Sequence, residues 1–436
     1  MMEAGIGSTT TAIAVADEVK RFKSRVLEAR PGKNPARHQH RGSLDEEGPV
    51  LSLRMWCLKT IAKNFERSPM MTRVPDSQVP KLTALLDLNL NIEVAAAHIY
   101  DENYWKRRSM AKAWKHLEIA NHGMTWKQLY LERTLQDLLE EYSPEGGSDA
   151  ITEETILEHL RASQDFVFQL RIGQLLSHFD PMLLFEHLPN LSRLELTYGV
   201  RRVGMQYERS LFGMRMSDAG SLARAIKASS TLTTICLPCN LVDDDMVQML
   251  MTGLISNCTV THLDLSHNKI TNHGVRLLVK LLGPKSVVST LNLCDNQIHV
   301  EGGRYLGRAL RHNASLLDLN LRLNRLTDEG GRLLLDGAMR NSSLMMLNLS
   351  SNSLASKSAN SLCALFDTGI ASLTALDLSC NEFSEEDGEA LVKSLGKFPS
   401  LVSLDARRNL LGSALDTLSN IVKRNELAAR GAEGKY

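Results

Sequence analysis

The 436-residue sequence has no excess of either charge, with 50 Lys and Arg against 50 Asp and Glu. That balance argues against bulk attraction to nucleic acid or to a membrane, leaving only local patches. No apolar run reaches the roughly 20 residues needed to cross a bilayer. The N-terminal MMEAGIGSTTTAIAVADEVKRFK lacks the basic, apolar, small order of a secretory leader, so an intracellular, soluble protein is expected. Motifs that carry chemistry are missing too: no phosphate-cradling GxxxxGKS/T, no HExxH, no pair of CxxC at zinc spacing. The histidines are scattered, with His38 and His40 close together but in a polar arm. The expectation is a protein with no catalytic residue, no cofactor and no metal.

What is present is a periodic asparagine. Asn240, Asn268, Asn296, Asn324, Asn352, Asn381 and Asn409 follow one another at intervals of 28, 28, 28, 28, 29 and 28 residues. Each closes the same phrase: VTHLDLSHNKI (260–270), VSTLNLCDNQI, LLDLNLRLNRL, LMMLNLSSNSL, LTALDLSCNEF and LVSLDARRNLL, with LTTICLPCNLV a looser copy upstream. Leu263 and Leu265 flank Asp264, so a short strand puts both leucines on one face and the aspartate on the other. The Asn amide, with two donors and an acceptor, can satisfy backbone groups of its own turn and of the adjacent coil. Helical segments such as GVRLLVKLL (274–282) return the chain. Neither face can be buried within one coil, so the coils must stack, which is the leucine-rich repeat. Strands pack about 4.8 Å apart and helices about 8–10 Å apart, so an α/β solenoid curved with parallel strands inside and helices outside is predicted.

This register also decides the cysteines. Cys236 and Cys239 form a CLPC that imitates a redox motif, but both occupy variable repeat positions and read as filler. Asn-x-Ser/Thr triplets at Asn257 and Asn341 read as coincidence without a secretory leader.

In chain order, residues 1–50 form a basic, partly disordered arm, with eight Lys/Arg and one acid between Lys20 and Arg41. Residues 51–186 read as an all-helical domain and N-terminal cap, with helices over LSLRMWCLKTIAKNFERSP, VPKLTALLDL, IEVAAAHI, WKRRSMAKAWKHLEIANH, WKQLYLERTLQDLLEEY, ITEETILEHL and FVFQLRIGQLL. All four tryptophans fall here. Trp105 is a candidate partner anchor, with core packing as the alternative. Residues 187–412 are the repeats, opening with LPNLSRLELTYG, where Gly199 replaces the asparagine. A longer step to Asn240 carries the insertion VRRVGMQYERSLFGMRMSD (200–218), which either closes the end of the stack or meets a partner. Residues 413–436 form a C-terminal capping helix and tail.

The phrase LTYGVRRVGMQYERSLFGM (196–214), with ENYWKRR (102–108) and LRMWCLKTIAKNFE (53–66), resembles a specific family: the T-complex-associated testis-expressed leucine-rich-repeat family, the fifth subunit of the nexin–dynein regulatory complex, with ribonuclease-inhibitor-type repeats. The resemblance runs from about residue 51 to 412. It implies a non-catalytic scaffold in the axoneme of cilia and flagella, linking doublet microtubules and passing control to dynein. Other subunits of that complex would be the partners, with tubulin or dynein met through the basic arm, and no nucleic acid or membrane. Candidate partner-binding residues are Tyr198, Arg201, Arg202, Tyr207 and Phe212 in or beside the insertion. On the inner strand face they are Glu195, Asp264, Asn292, Asn320, Asn348, Asp377 and Asp405, with Arg322 two positions on from Asn320. This polar, mildly acidic ladder suits a basic or amide-rich segment. Two alternatives stand beside the scaffold: a Ran-type GTPase-activating protein, with Arg201 or Arg202 as the contributed arginine, and a free regulatory leucine-rich-repeat protein.

Overall fold

The computed structural model describes residues 52–115, 117–144, 151–199, 211–369 and 372–433. The chain divides at Leu53, and Arg54–Tyr436 form one compact unit. The basic arm expected over residues 1–50 lies outside the described residues.

Among the described residues nine short strands pair in parallel and in strict chain order. They are β1 (Gln169–Ile172), β2 (Arg193–Leu196), β3 (Thr234–Cys236), β4 (His262–Asp264), β5 (Thr290–Asn292), β6 (Asp318–Asn320), β7 (Met346–Asn348), β8 (Ala375–Asp377) and β9 (Ser403–Asp405). Five helices precede or abut β1: α1 (Leu53–Lys63), α2 (Val79–Leu85), α3 (Ile92–His98), α4 (Glu102–Met110) and α5 (Trp126–Glu141). Then α6 (Glu153–Ser163) leads into β1 and α7 (Pro181–His187) links β1 to β2. The repeats supply α8 (Met216–Ala228), α9 (Asp244–Leu254), α10 (Asn272–Leu278), α11 (Val300–Leu310), α12 (Thr327–Ala338), α13 (Ser356–Thr368) and α14 (Glu385–Leu395), and α15 (Ala414–Glu433) ends the stack. This is a leucine-rich-repeat solenoid behind a helical region.

The leucines pair across strands as the period demands: Leu263 with Leu291, Leu291 with Leu319, Leu319 with Leu347, Leu347 with Leu376 and Leu376 with Leu404. Burial of these side chains from water is the main driving force for stacking.

The periodic asparagine ties the coils together. Asn268 Oδ1 accepts N–H bonds from Asn240 and Val242 of the preceding coil, both at 3.0 Å. Its Nδ2 donates to Leu237 O at 2.9 Å in that coil and to Leu265 O and Ser266 O in its own. Asn296 repeats the pattern on Ile270, Leu265, Leu293 and Cys294, and Asn324, Asn352, Asn381 and Asn409 carry it onward. The turn ahead of each asparagine is left-handed: Cys239, His267, Asp295, Leu323, Ser351, Cys380 and Arg408 all have φ between 52° and 59°.

A second asparagine series, unforeseen in the sequence, works at the opposite end of the strands. Asn257 donates to Ile226 O and Ser229 O, Asn313 to Leu282 O, Asn341 to Leu310 O and Asn313 O, and Asn425 to Phe398 O and Leu401 O. The Oδ1 atoms of the first three turn back onto N–H groups two and three residues ahead. In the helix layer, α11 and α12 approach so closely that a Cβ at Gly337 would stand 2.0 Å from Gly307 O.

Two expectations are corrected. FVFQLRIGQLL is not a helix: Leu170 and Ile172 alternate with Gln169 and Arg171, and this period of two makes β1, which joins the sheet one strand earlier than expected. The helix expected over WKRRSMAKAWKHLEIANH ends at Met110. Leu53 and Trp56 of the first helix are exposed at 67% and 55%, while Leu58 and Phe65 are buried.

The open edge of β1 is sealed by α5. Buried Glu132 accepts the Phe168 and Gln169 N–H groups at 2.9 and 3.1 Å, and Glu140 accepts Gly173 N–H at 2.7 Å. At the far edge α15 packs on β9, with Leu418 and Val422 buried. In the helical region two cations are buried among aromatic rings. Arg108 donates to Leu90 O, with its guanidinium 4.9 Å from the Tyr130 ring centre. Lys127 donates to Ala96 O and sits 3.7 Å from the Phe166 ring centre, and burial pulls its ammonium down to about 8.

The amide network makes a sharp prediction. Asn296→Ala should cost at least about 3 kcal/mol in urea unfolding, because it leaves several buried backbone groups unpaired. Asn296→Asp should be nearly as damaging, since a carboxylate cannot donate to Leu265 O and Leu293 O. A nearly neutral Asp variant would refute the donor role. Leu319→Ala, at a fully buried site, should cost about 2–5 kcal/mol in the same measurement.

Candidate binding face of the strand layer

Alternate residues of each strand point away from the leucines. The central outward residues stand in one cross-strand column, running Glu195, Cys236, Asp264, Asn292, Asn320, Asn348, Asp377 and Asp405. A groove of about 560 Å³ lies over this face. It is lined by all of these except Glu195 and, as a second column one step earlier along each strand, by Arg193, Thr234, His262, Thr290, Asp318, Met346, Ala375 and Ser403.

The Asp and Asn residues of the central column serve the fold and the surface together. One oxygen of each accepts the N–H two residues on: Asp264 from Ser266, Asn292 from Cys294, Asn320 from Arg322, Asn348 from Ser350, Asp377 from Ser379 and Asp405 from Arg407. This closes the turn that leads to the ladder asparagine. The remaining atoms face the groove. Asn292 Nδ2 donates to Asp264 Oδ2 at 2.8 Å and Asn348 Nδ2 to Asp377 Oδ2 at 3.0 Å.

Charge on this face is uneven. At the β2 end Arg171 pairs with Glu195 at 3.0 Å, with Arg193 at 3.8 Å from the same carboxylate. At the β9 end Arg407 grips Asp405 through two nitrogens and holds its carboxyl below the usual range. Between them, Asp264, Asp318 and Asp377 make no ion pair among the described residues. Partial burial raises the Asp318 carboxyl, with His262 pulling the other way. The middle of the groove therefore presents three carboxylates without a cation. Beside it the strand approach carries exposed Leu317, Met345 and Met346.

The sequence-derived candidates divide accordingly. Asp264, Asn292, Asn320, Asn348, Asp377 and Asp405 converge on the groove. Glu195 lies off it, occupied by arginines, and Arg322 is exposed beyond the central column. Trp105 is a core residue with no surface for a partner: it is fully buried, its indole N–H donating to Ile99 O. Tyr198 is also buried, stacked on His178 with ring centres 5.3 Å apart. Phe212 is half-buried and pairs antiparallel with Gly199, so this end of the insertion folds back on β2. Arg201, Arg202 and Tyr207 lie outside the described residues. Asp318 and His262 were not foreseen as part of a site; applying the two-residue period one step before the first leucine would have found them.

Other chemistry finds little support in the geometry. Among the described residues no group of three or more His, Cys, Asp or Glu could hold a metal ion. Cys236 is buried, and its thiol is pushed up to about 11, so it stays protonated at neutral pH. No described helix is long and apolar enough to cross a membrane.

Comparison with known proteins places these features. A family profile described as leucine-rich repeat matches residues 256–279, 312–335 and 370–392. The chain is 44% identical over 202 residues to a Chlamydomonas reinhardtii protein named dynein regulatory complex subunit 5, covering 46% of this chain and 50% of that one. It is 32% identical over 229 residues to the Mus musculus protein of the same name, covering 46% and 45%. The chain thus spans about half the length of the curated relatives it matches, and the resemblance read from the sequence is to proteins of this name. Among solved structures, it aligns with one titled as the Rad7 and Elc1 complex in yeast at 17% identity, with a TM-score of 0.34, over 84% of this chain and 96% of that one.

Because the central oxygens close turns, removing charge should spare the fold where removing the side chain does not. The triple variant Asp264→Asn, Asp318→Asn, Asp377→Asn should unfold within about 1 kcal/mol of the parent, since Asn already fills the place of Asp264 and Asp377 in three other coils and Asp318 stands in the second column, where Thr, Met and Ala are its equivalents. Asp264→Ala and Asp377→Ala should each lose about 1–2 kcal/mol. Thermal and urea unfolding of the four proteins checks this, and equal losses in the Asn and Ala variants would contradict it.

Proposed function

We propose that this chain is a non-catalytic scaffold subunit of the nexin–dynein regulatory complex, acting in the axoneme of motile cilia and flagella. The observation that carries the reading is the 44% identity over 202 residues to a protein named as a subunit of that complex. The strand face supplies the physical means. Three carboxylates without an ion-pair partner among the described residues and a row of amides receive a basic, amide-rich segment of a neighbouring subunit, held by charge-assisted hydrogen bonds. Binding energy is spread over this face and not focused in one pocket, as befits a part that links doublet microtubules and transmits control to dynein. The basic arm of residues 1–50 meets tubulin or dynein.

The reading predicts where the protein goes. In cilia stripped with detergent and moderate salt, the chain should remain with the axonemal fraction and co-purify with the other complex subunits. The triple Asp→Asn variant should be released at lower salt although its fold is retained. Quantitative blotting of the fractions decides it. Release of the parent chain with the soluble fraction would refute the scaffold, as would stimulated GTP turnover by a Ran-type GTPase that Arg201→Ala abolishes.

A further inference from the structure

The helix layer carries a charge pattern that the fold does not need. Arg276, Arg304 and Arg332 are spaced 28 residues apart, as are Lys280, Arg308 and Asp336. They hold equivalent places in successive coils, on α10, α11 and α12 except for Lys280, which lies in the 3-10 turn Val279–Leu282 that continues α10. The equivalence is physical: Asn272 at the start of α10 accepts N–H bonds from His299 and Gly302 at the start of α11, and a Cβ at Gly303 would meet Gly330 O of α12. On α12 the arrangement is self-satisfied, with Arg332 bridging Glu329 at 2.6 Å and Asp336 at 2.8 Å. In the coils of α10 and α11 the position four residues on holds a second cation instead. Arg276 is followed by Lys280, and Arg304 by Arg308, with Arg311 one turn further along.

Like charges four apart on a helix repel and are mildly destabilising; Arg304 and Arg308 are such a pair on α11, and Arg276 with Lys280 sets a second pair of cations beside it in the preceding coil. Glu301 neutralises Arg304 at 3.0 Å, and Arg276 meets only the ring of His273. Lys280, Arg308 and Arg311 are exposed and make no ion pair among the described residues. We propose that the outer faces of α10 and α11 dock an acidic polypeptide segment of a partner, with Arg276, Lys280, Arg304, Arg308 and Arg311 as its charge contacts.

Geometry limits the occupant. Two helices about 8–10 Å apart and two turns of length, about 10 Å, match four or five residues of an extended chain. The cations do not continue along the layer: their 28-residue equivalents are Gln248 and Thr252 on α9, and on α12 Arg332 is held by Glu329 and Asp336. A nucleic-acid duplex or a flat anionic membrane would reach well past so small a patch, whereas a short acidic segment matches it. This surface is separate from the strand face and stands or falls independently of it.

The test uses the full chain and a fluorescein-labelled peptide of six glutamates bearing a photoreactive end group. Anisotropy should show binding that weakens as salt rises. Lys280→Glu with Arg308→Glu should weaken it about tenfold, and the neutral pair Lys280→Gln with Arg308→Gln should fall between. Both variants should keep the parent melting temperature, and Lys423→Glu on α15 should change nothing. Photocrosslinks should map within residues 272–312. Unchanged affinity in the charge-reversed variant, crosslinks confined elsewhere, or equal binding of an oligonucleotide or anionic vesicle of matched charge would each overturn the proposal.

Discussion

The repeats depend on a buried carboxamide that makes hydrogen bonds the secondary structure cannot. Each strand of the repeats from β3 onward is three residues long, so the backbone beyond it leaves the sheet while still enclosed by neighbouring coils. Unpaired N–H and C=O groups there would cost enough to undo the gain from leucine burial. Asn268 and its equivalents bring an acceptor to the coil before and donors to both that coil and their own turn. Polar satisfaction thus becomes a property of neighbouring pairs of coils, and the second series through Asn257, Asn313, Asn341 and Asn425 does the same at the other end of the strands. Leucine provides the drive to stack, while the asparagines set the register at which the backbone groups of adjoining turns find partners.

The same economy shapes the strand face. Asp and Asn are interchangeable for closing the turn, because either offers an oxygen to the N–H two residues on. Charge can therefore be varied along the column at little structural cost. The outcome is a strand face with arginine-held acids at both ends and, in the groove between, carboxylates that make no ion pair among the described residues. The helix layer has the opposite sign at α10 and α11. The two layers of one stack thereby carry complementary chemistries, which suits a part that holds several neighbours together.

The sequence made the repeat legible because its signal is summed: seven asparagines in register outweigh any local ambiguity. The central column of the face was legible for the same reason, as the alternation around each leucine pair fixes which residues point outward. Isolated features were not. Gln169–Ile172 has no asparagine after it, and its apolar neighbours Phe166, Val167 and Phe168 obscure the alternation, so β1 read as helix. Asn257 and Asn341 resembled glycosylation triplets because nothing in their local sequence reveals the carbonyls they reach from another coil. Trp105 and Tyr198 read as partner contacts because an aromatic residue in a short motif serves core and interface equally well; only packing distinguishes them. Asp318 and His262 were passed over because their column is chemically mixed and shows no periodic identity.

An exposed β-edge is a template, able to recruit a strand from a neighbouring copy or another chain. At β1 two glutamates on α5 occupy the N–H groups through which such growth would begin. The helical region thus works as a stopper as well as a fold of its own. A chain that begins after α5, or one that loses Glu132, would retain well-formed repeats yet display a sticky margin. The expected fate of such a fragment in a crowded cell is self-association, so damage far from any binding face would surface as insolubility and not as weakened recognition.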